Sequence, residues 1–182
     1  MNLIFNTTDL PEVIHIQPSK FKDTRGWLSE TYNEITFQDN GIHEKFIQEK
    51  YSFSKYKVLR GLHFQKDPYG QGKLVRCSYG KILDVVVDIR PHSINFGKHI
   101  KIELSYNRGN MLYIPSGFAH GFVVTSKSGA GFTYHTTSHF NKSADSGISY
   151  DDKDIGIIWP FLASEMIISD KDKNLPLLNI CI

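Results

Sequence analysis

The chain has 182 residues, 40% of them hydrophobic and 22% charged, a balance that provides a real core and excludes both a disordered chain and a membrane-spanning one. A formal net charge of +2 and a pI near 8.4 are too small and too scattered an excess to form an electrostatic footprint for nucleic acid, while leaving room for a small anionic ligand. Only Cys77 and Cys181 are present, so no disulfide framework is expected and both are read as free thiols.

The first residues, MNLIFNTTDLPEV, carry neither the basic nor the apolar region of a secretory signal. No apolar run nears the roughly 20 residues of a spanning helix. The protein is therefore expected in the cytoplasm, away from membranes. In chain order, VIHIQP reads as a strand, and NEITFQDNG, closed by Gly41, as a short helix. KVLRGLHFQ, KLVRCSYGKILDVVVDIRP, KHIKIELSY, NMLYIPSGFAHGFVV and GFTYHTTSHF follow as strands bounded by turns. Tyr79-Gly80 is a tight reversal that predicts a hairpin between KLVRCS and KILDVVVDIR. In the second of those runs Leu83, Val85 and Val87 fall on one face, and Asp84, Val86 and Asp88 on the other, where the acids need solvent or partners. A further short helix is expected beyond Trp159-Pro160. The rhythm predicts an all-β sandwich or barrel with a few short helices, as one domain over residues 1–182.

Dinucleotide and triphosphate cradles are absent, since no GxGxxG enters a helix and no GxxxxGK[ST] occurs. No GxSxG elbow occurs either, and neither cysteine has a nucleophile's surroundings. Two histidine segments remain, Arg60-Gly61-Leu62-His63-Phe64-Gln65 and Pro115-Ser116-Gly117-Phe118-Ala119-His120. The second has the PxGxxH pattern of the cupin superfamily, which implies a jelly roll. Metal-binding cupins carry HxH in the first segment, where this chain has His63-Phe64-Gln65. A catalytic metal needs three protein ligands, so no metal and no other cofactor is expected.

RGLHFQ, QGKLVRC, DVVVDIR, PSGFAHGF, IGIIWP and ISDKDKNLPLL, in this order, resemble the dTDP-4-dehydrorhamnose 3,5-epimerases over nearly the whole chain. The resemblance implies epimerisation at C3, C5 or both of a nucleotide-linked 4-keto-6-deoxyhexose. Such a reaction needs a base on one face, an acid on the other and a positive group at the enolate oxygen. By resemblance His63 is the base, Asp172 its carboxylate partner, Lys73 the enolate's cation and Tyr134 the acid. Arg60 and His120 fall at substrate contacts, and Gln48 opens a segment in which Lys50 stands where many relatives carry an amide. Lys50 and His139 are expected to line the nucleotide end, where they and His135 imply looser recognition of the base. Arg25 and Glu30 are implied as contacts across a homodimer that exchanges an N-terminal segment. The competing readings are an epimerase acting on one carbon or on another nucleotide sugar, a catalytically silent carbohydrate-binding cupin, which has no need of His63, Tyr134, Lys73 and Asp172 together, and a metal-dependent cupin oxygenase, disfavoured by Gln65 where the second ligand would stand.

Overall fold

The computed structural model describes residues 2–181 and leaves the side chain of Cys181, with the expectation for its thiol, outside that set. Cys77 is buried and free. One six-stranded sheet runs, edge to edge, β1 (Leu3–Thr7), β2 (Ile14–Pro18), β10 (Met111–Ile114), β7 (Lys73–Tyr79), β12 (Ala130–Thr136) and β5 (Gln48–Ser54). The other runs β13 (Asp145–Gly147), β6 (Val58–Gln65), β11 (Phe118–Val124), β8 (Lys81–Asp88) and β9 (His99–Ser105). The two-residue β14 (Ile167–Ile168) lies parallel to β6, and β3 (Phe21–Asp23) and β4 (Gly26–Leu28) form a separate hairpin. The helices are α1 (Glu34–Asp39), α2 (Asp170–Lys173), α3 (Leu178–Cys181) and a 3-10 turn at Ala163–Glu165. The all-β, cupin-type sandwich with few short helices is as expected.

The sheets face each other across a core to which one contributes Val75, Cys77, Leu112 and Phe132 and the other Ile82, Val86, Leu104 and Phe122. Phe122 and Phe132 meet across it with ring centroids 4.4 Å apart. Burying one such side chain stabilises by about 1.5–3 kcal/mol, and repeated over this core the term carries the polar groups that the interior also holds. Helix α1 starts where Asn33 accepts the Thr36 amide, and its buried Phe37 packs on the outside of the first sheet with Ile16, Leu74 and Tyr113.

The Tyr79-Gly80 turn is not a hairpin. β7 and β8 belong to different sheets, and the chain crosses between them at Gly80. The carbonyl of Lys81 accepts from Thr125 and Ser126, and its amide donates to Ser126 Oγ, so the corner is tied to the β11–β12 turn instead of to β7. Gly80 has φ of +71°, and a Cβ there would lie 2.2 Å from the Gly129 carbonyl oxygen. Only glycine fits. At the edge of the first sheet, β1 pairs antiparallel with β2.

Both faces of β8 are covered, because Val85 and Val87 pack under Leu62, Ile148 and Leu178. The acids on the opposite face have partners. Asp84 is fully buried against His120, and Asp88 pairs with Arg90 at 2.6 Å and accepts from Ser93. Among the described residues no helix is long and apolar enough to cross a membrane.

Candidate active site

A cavity of about 610 Å³ lies between the two sheets, within the size range of small-molecule sites. β6 supplies Arg60, His63 and Gln65 to it. In a regular strand residues 60 and 63 point to opposite faces. Here His120 pairs with His63 and Phe122 with Arg60, so β6 carries one residue more than β11 over the same span. That bulge turns both side chains inward. Gly61 makes it with φ of +127°, and a Cβ there would lie 2.5 Å from Gly121 Cα. The glycine in RGLHFQ therefore serves the site.

His63 Nε2 lies 2.7 Å from Asp172 Oδ1. Asp172 arrives from the other end of the sequence on α2, whose N-cap Ser169 accepts the Asp172 amide. An acid at this position commonly turns back to the cap; this carboxylate goes instead to His63 and, through Oδ2, to the Gly61 amide at 3.2 Å. Burial resists its ionisation, but the His63 hydrogen bond and charge and the Gly61 N–H outweigh it and hold the carboxyl below its ordinary value.

Tyr134 faces His63's sheet from β12, and on the same face of its own sheet sit Lys73 and Lys50. Burial pushes the Tyr134 phenol above its usual value, with the charge of Arg60 opposing and that of Asp145 adding. Lys73 is buried, donates to the His63 carbonyl at 3.1 Å, and spans the two sheets. Burial pulls its ammonium down to about 8, against the attraction of Asp84 and with the help of Lys50. Keeping it charged at neutral pH costs on the order of 3 kcal/mol.

Arg60 donates to Ser54 Oγ at 2.9 Å. His120 donates to or accepts from Asp84 Oδ2 at 2.9 Å according to tautomer, and stacks on Phe132. Burial raises the Asp84 carboxyl, opposed by His120 and Lys73. Its Oδ1 is buried with no hydrogen-bond partner among the described residues. Sequence reasoning left Asp84 without a role, although the acid on the inward face of KILDVVVDIR was the available signal. Asp145 and Lys171, ion-paired at 2.5 Å, also line the cavity and were not singled out.

The structure thus gathers His63, Lys73, Tyr134, Arg60, His120 and Lys50 around one cavity, with Asp172 behind His63. Others stand elsewhere. Gln48 precedes Lys50 by two residues on the same face, half-buried, with Oε1 unpartnered among the described residues. Arg25 projects from the β3–β4 hairpin, 88% exposed and paired with Asp23, and the half-buried Glu30 follows that hairpin; neither lines this chain's cavity. His139 is exposed and does not line it, whereas the next residue, Phe140, does. His135 lies on the outer face, paired with Glu49 at 2.7 Å. The basis for looser base recognition is accordingly reduced to Lys50, whose ammonium sits 4.8 Å from the Phe140 ring centroid and 5.9 Å from that of Tyr134. Among the described residues no group of three or more His, Cys, Asp or Glu is placed to hold a metal ion.

A family profile described as dTDP-4-dehydrorhamnose 3,5-epimerase matches residues 7–179. The chain belongs to that epimerase family. The dTDP-4-dehydrorhamnose 3,5-epimerase of Escherichia coli is 44% identical over 176 residues, 96% of this chain and 93% of that protein. The crystal structure of the same-named enzyme from Elizabethkingia anophelis superposes with a TM-score of 0.94 at 40% identity, covering 99% of this chain and 98% of that one. A second epimerase structure, from Legionella pneumophila in complex with dTDP-4-keto-L-rhamnose, has a TM-score of 0.93 at 36% identity, covering 98% and 94%. The motifs quoted from the sequence lie within the matched region of this epimerase.

Proposed function

We propose that the chain inverts C3 and C5 of dTDP-4-dehydro-6-deoxyglucose to give dTDP-4-dehydrorhamnose, by proton removal and return on opposite faces. One observation carries the reading: the His63–Asp172 pair on one sheet and Tyr134 on the other face the same cavity, with Lys73 between. The substrate's identity draws on the E. coli relative and on the ligand of the Legionella structure.

C3–H and C5–H both flank the C4 ketone, so each is acidified by delocalisation of the resulting carbanion into an enolate. His63 takes the proton, and Asp172 fixes the ring and stabilises the imidazolium. Lys73 holds its ammonium at the enolate oxygen, where a fixed cation in a dry site acts most strongly. Tyr134 then delivers a proton from the far side, and burial, by keeping the phenol protonated, suits it to that task. Protons alone move, so the cycle calls on no cofactor. Arg60 provides a forked cation for the diphosphate.

Incubation in D2O tests the reading. The wild-type protein is expected to place deuterium at both C3 and C5 with inversion, and binding without exchange would favour the silent carbohydrate-binding alternative. With Tyr134→Phe, deprotonation continues while the proton returns to the face it left, giving exchange without inversion. Normal inversion by that variant would remove Tyr134 as the acid.

The same reading includes a homodimer. The β3–β4 hairpin leaves Phe21, Trp27 and Leu28 exposed and carries Arg25 outward, as befits an arm that reaches a second copy's cavity. Light scattering at micromolar concentration is expected to give twice the chain mass of 20.8 kDa, and a stable monomer would remove the arm from the account.

A further inference from the structure

Gln65 occupies the position that a second metal ligand takes in an HxH motif, two residues after His63 on the same face of β6. Its side chain is 7% exposed and fully engaged. Nε2 donates to the Tyr69 carbonyl at 2.7 Å and to the His139 carbonyl at 3.2 Å, and Oε1 accepts the Asn141 amide at 2.7 Å. A carboxamide offers two donors and a carbonyl oxygen on one planar group, and these three partners take both donors and one of the oxygen's lone pairs. They also fix its orientation, because a flipped amide would set oxygen against two carbonyls and N–H against N–H.

The partners belong to two loops at the rim of the cavity, and residues 139 and 141 flank Phe140, which lines it. The loops are joined to each other as well: Ser138 Oγ donates to the Gly70 carbonyl at 2.8 Å, and Gln71 Nε2 to the Ser138 carbonyl at 2.7 Å. Phe140 itself is 49% exposed, with no core of its own to hold it. Its place over Lys50 is set by the backbone on either side, and Gln65 grips that backbone on both.

We infer that Gln65 is a positioning residue for nucleotide binding: it clamps the backbone around Phe140 and so holds that ring, with Lys50, as one wall of the cavity. The inference rests on the nucleotide-sugar reading for its ligand but not for its geometry. Glutamate, one atom different, sets a carboxylate against two carbonyl oxygens and loses both donors. Methionine keeps the volume and loses all three bonds.

The geometry is tested without ligand by amide hydrogen exchange. In Gln65→Met the Asn141 amide is expected to exchange about 10- to 100-fold faster, the range that loss of one buried hydrogen bond spans, while the amides of β8 stay as in the wild type. An unchanged Asn141 amide overturns the inference, and so does a rise spread equally through the sheets. The ligand test is titration with dTDP. Gln65→Met and Phe140→Ala are each expected to weaken binding about 10-fold or more, with KM rising for the sugar nucleotide and kcat little changed. The double variant should bind no worse than the weaker single one, because both remove the same ring from its place. Losses that multiply overturn the inference. In Gln65→Glu, affinity relative to wild type should recover as pH falls from 8 to 5.5, since a carboxyl buried among carbonyls has a raised pKa and its protonated form donates again. A wild-type protein that does not bind dTDP at all would instead overturn the nucleotide-sugar reading, with the exchange of Asn141 still deciding the role of Gln65.

Discussion

His63→Ala is expected to lose solvent exchange at both C3 and C5, by about 10²- to 10⁴-fold, the span that general-base catalysis contributes. The other titratable groups that line that wall are otherwise engaged, Asp145 being ion-paired with Lys171 at 2.5 Å. Arg60 is a permanent cation bonded to Ser54, and His120 is engaged with Asp84. The measurement is deuterium incorporation by NMR. Exchange that persists at one carbon would show that a different base serves it. The variant also leaves Asp172 buried with only the Gly61 amide, so a loss of about 1–3 kcal/mol of stability is expected as well. His63→Gln, whose Nε2 stands near the place of the imidazole Nε2 and offers that carboxylate a donor, should recover stability without recovering exchange, and so separates chemistry from folding.

Lys73→Met is expected to lower kcat/KM by about 10²- to 10³-fold, the usual effect of deleting one group that stabilises a developing oxyanion. Stability should move the other way. In the folded protein the ammonium titrates at about 8, below its unfolded value, so folding penalises the charged form. That penalty is present in full below pH 8 and disappears between pH 8 and the unfolded pKa of about 10.4. The methionine variant should therefore melt several degrees higher at pH 7, a gain trimmed by the lost bond to the His63 carbonyl and fading above pH 8. Wild-type kcat, in turn, should fall as pH rises through about 8, because the neutral amine carries no charge to the enolate. A variant both less active and less stable at pH 7 would assign Lys73 a structural role.

Much of the site was legible because its residues fall in strands, where the alternation of side chains is read directly from the sequence. Leu83, Val85 and Val87 against Asp84, Val86 and Asp88 was such a case, and the acids did need partners. Which partners was not legible, since His120 lies 36 residues from Asp84 and pairing at that distance leaves no local mark. The Tyr79-Gly80 turn failed for the same reason: a glycine marks a reversal, but whether the strand returns to its neighbour or crosses to the facing sheet depends on what Thr125 and Ser126 offer from afar. Around His139 there is no period to follow. In a loop, the choice between His139 and Phe140 as the cavity's wall is made by Gln65, on another strand. The bulge at Gly61 is the converse case, where strict alternation would have turned Arg60 away from His63 and the motif's resemblance kept both.

The carboxylate that completes the base stands 109 positions after it. As the chain is synthesised, every strand from β1 to β13 leaves the ribosome before Asp172 does. The sandwich can close while the imidazole still lacks the group that polarises it. Chemical competence thus depends on a short segment that is synthesised late, the two residues of β14 beside β6 and one four-residue helix capped by Ser169.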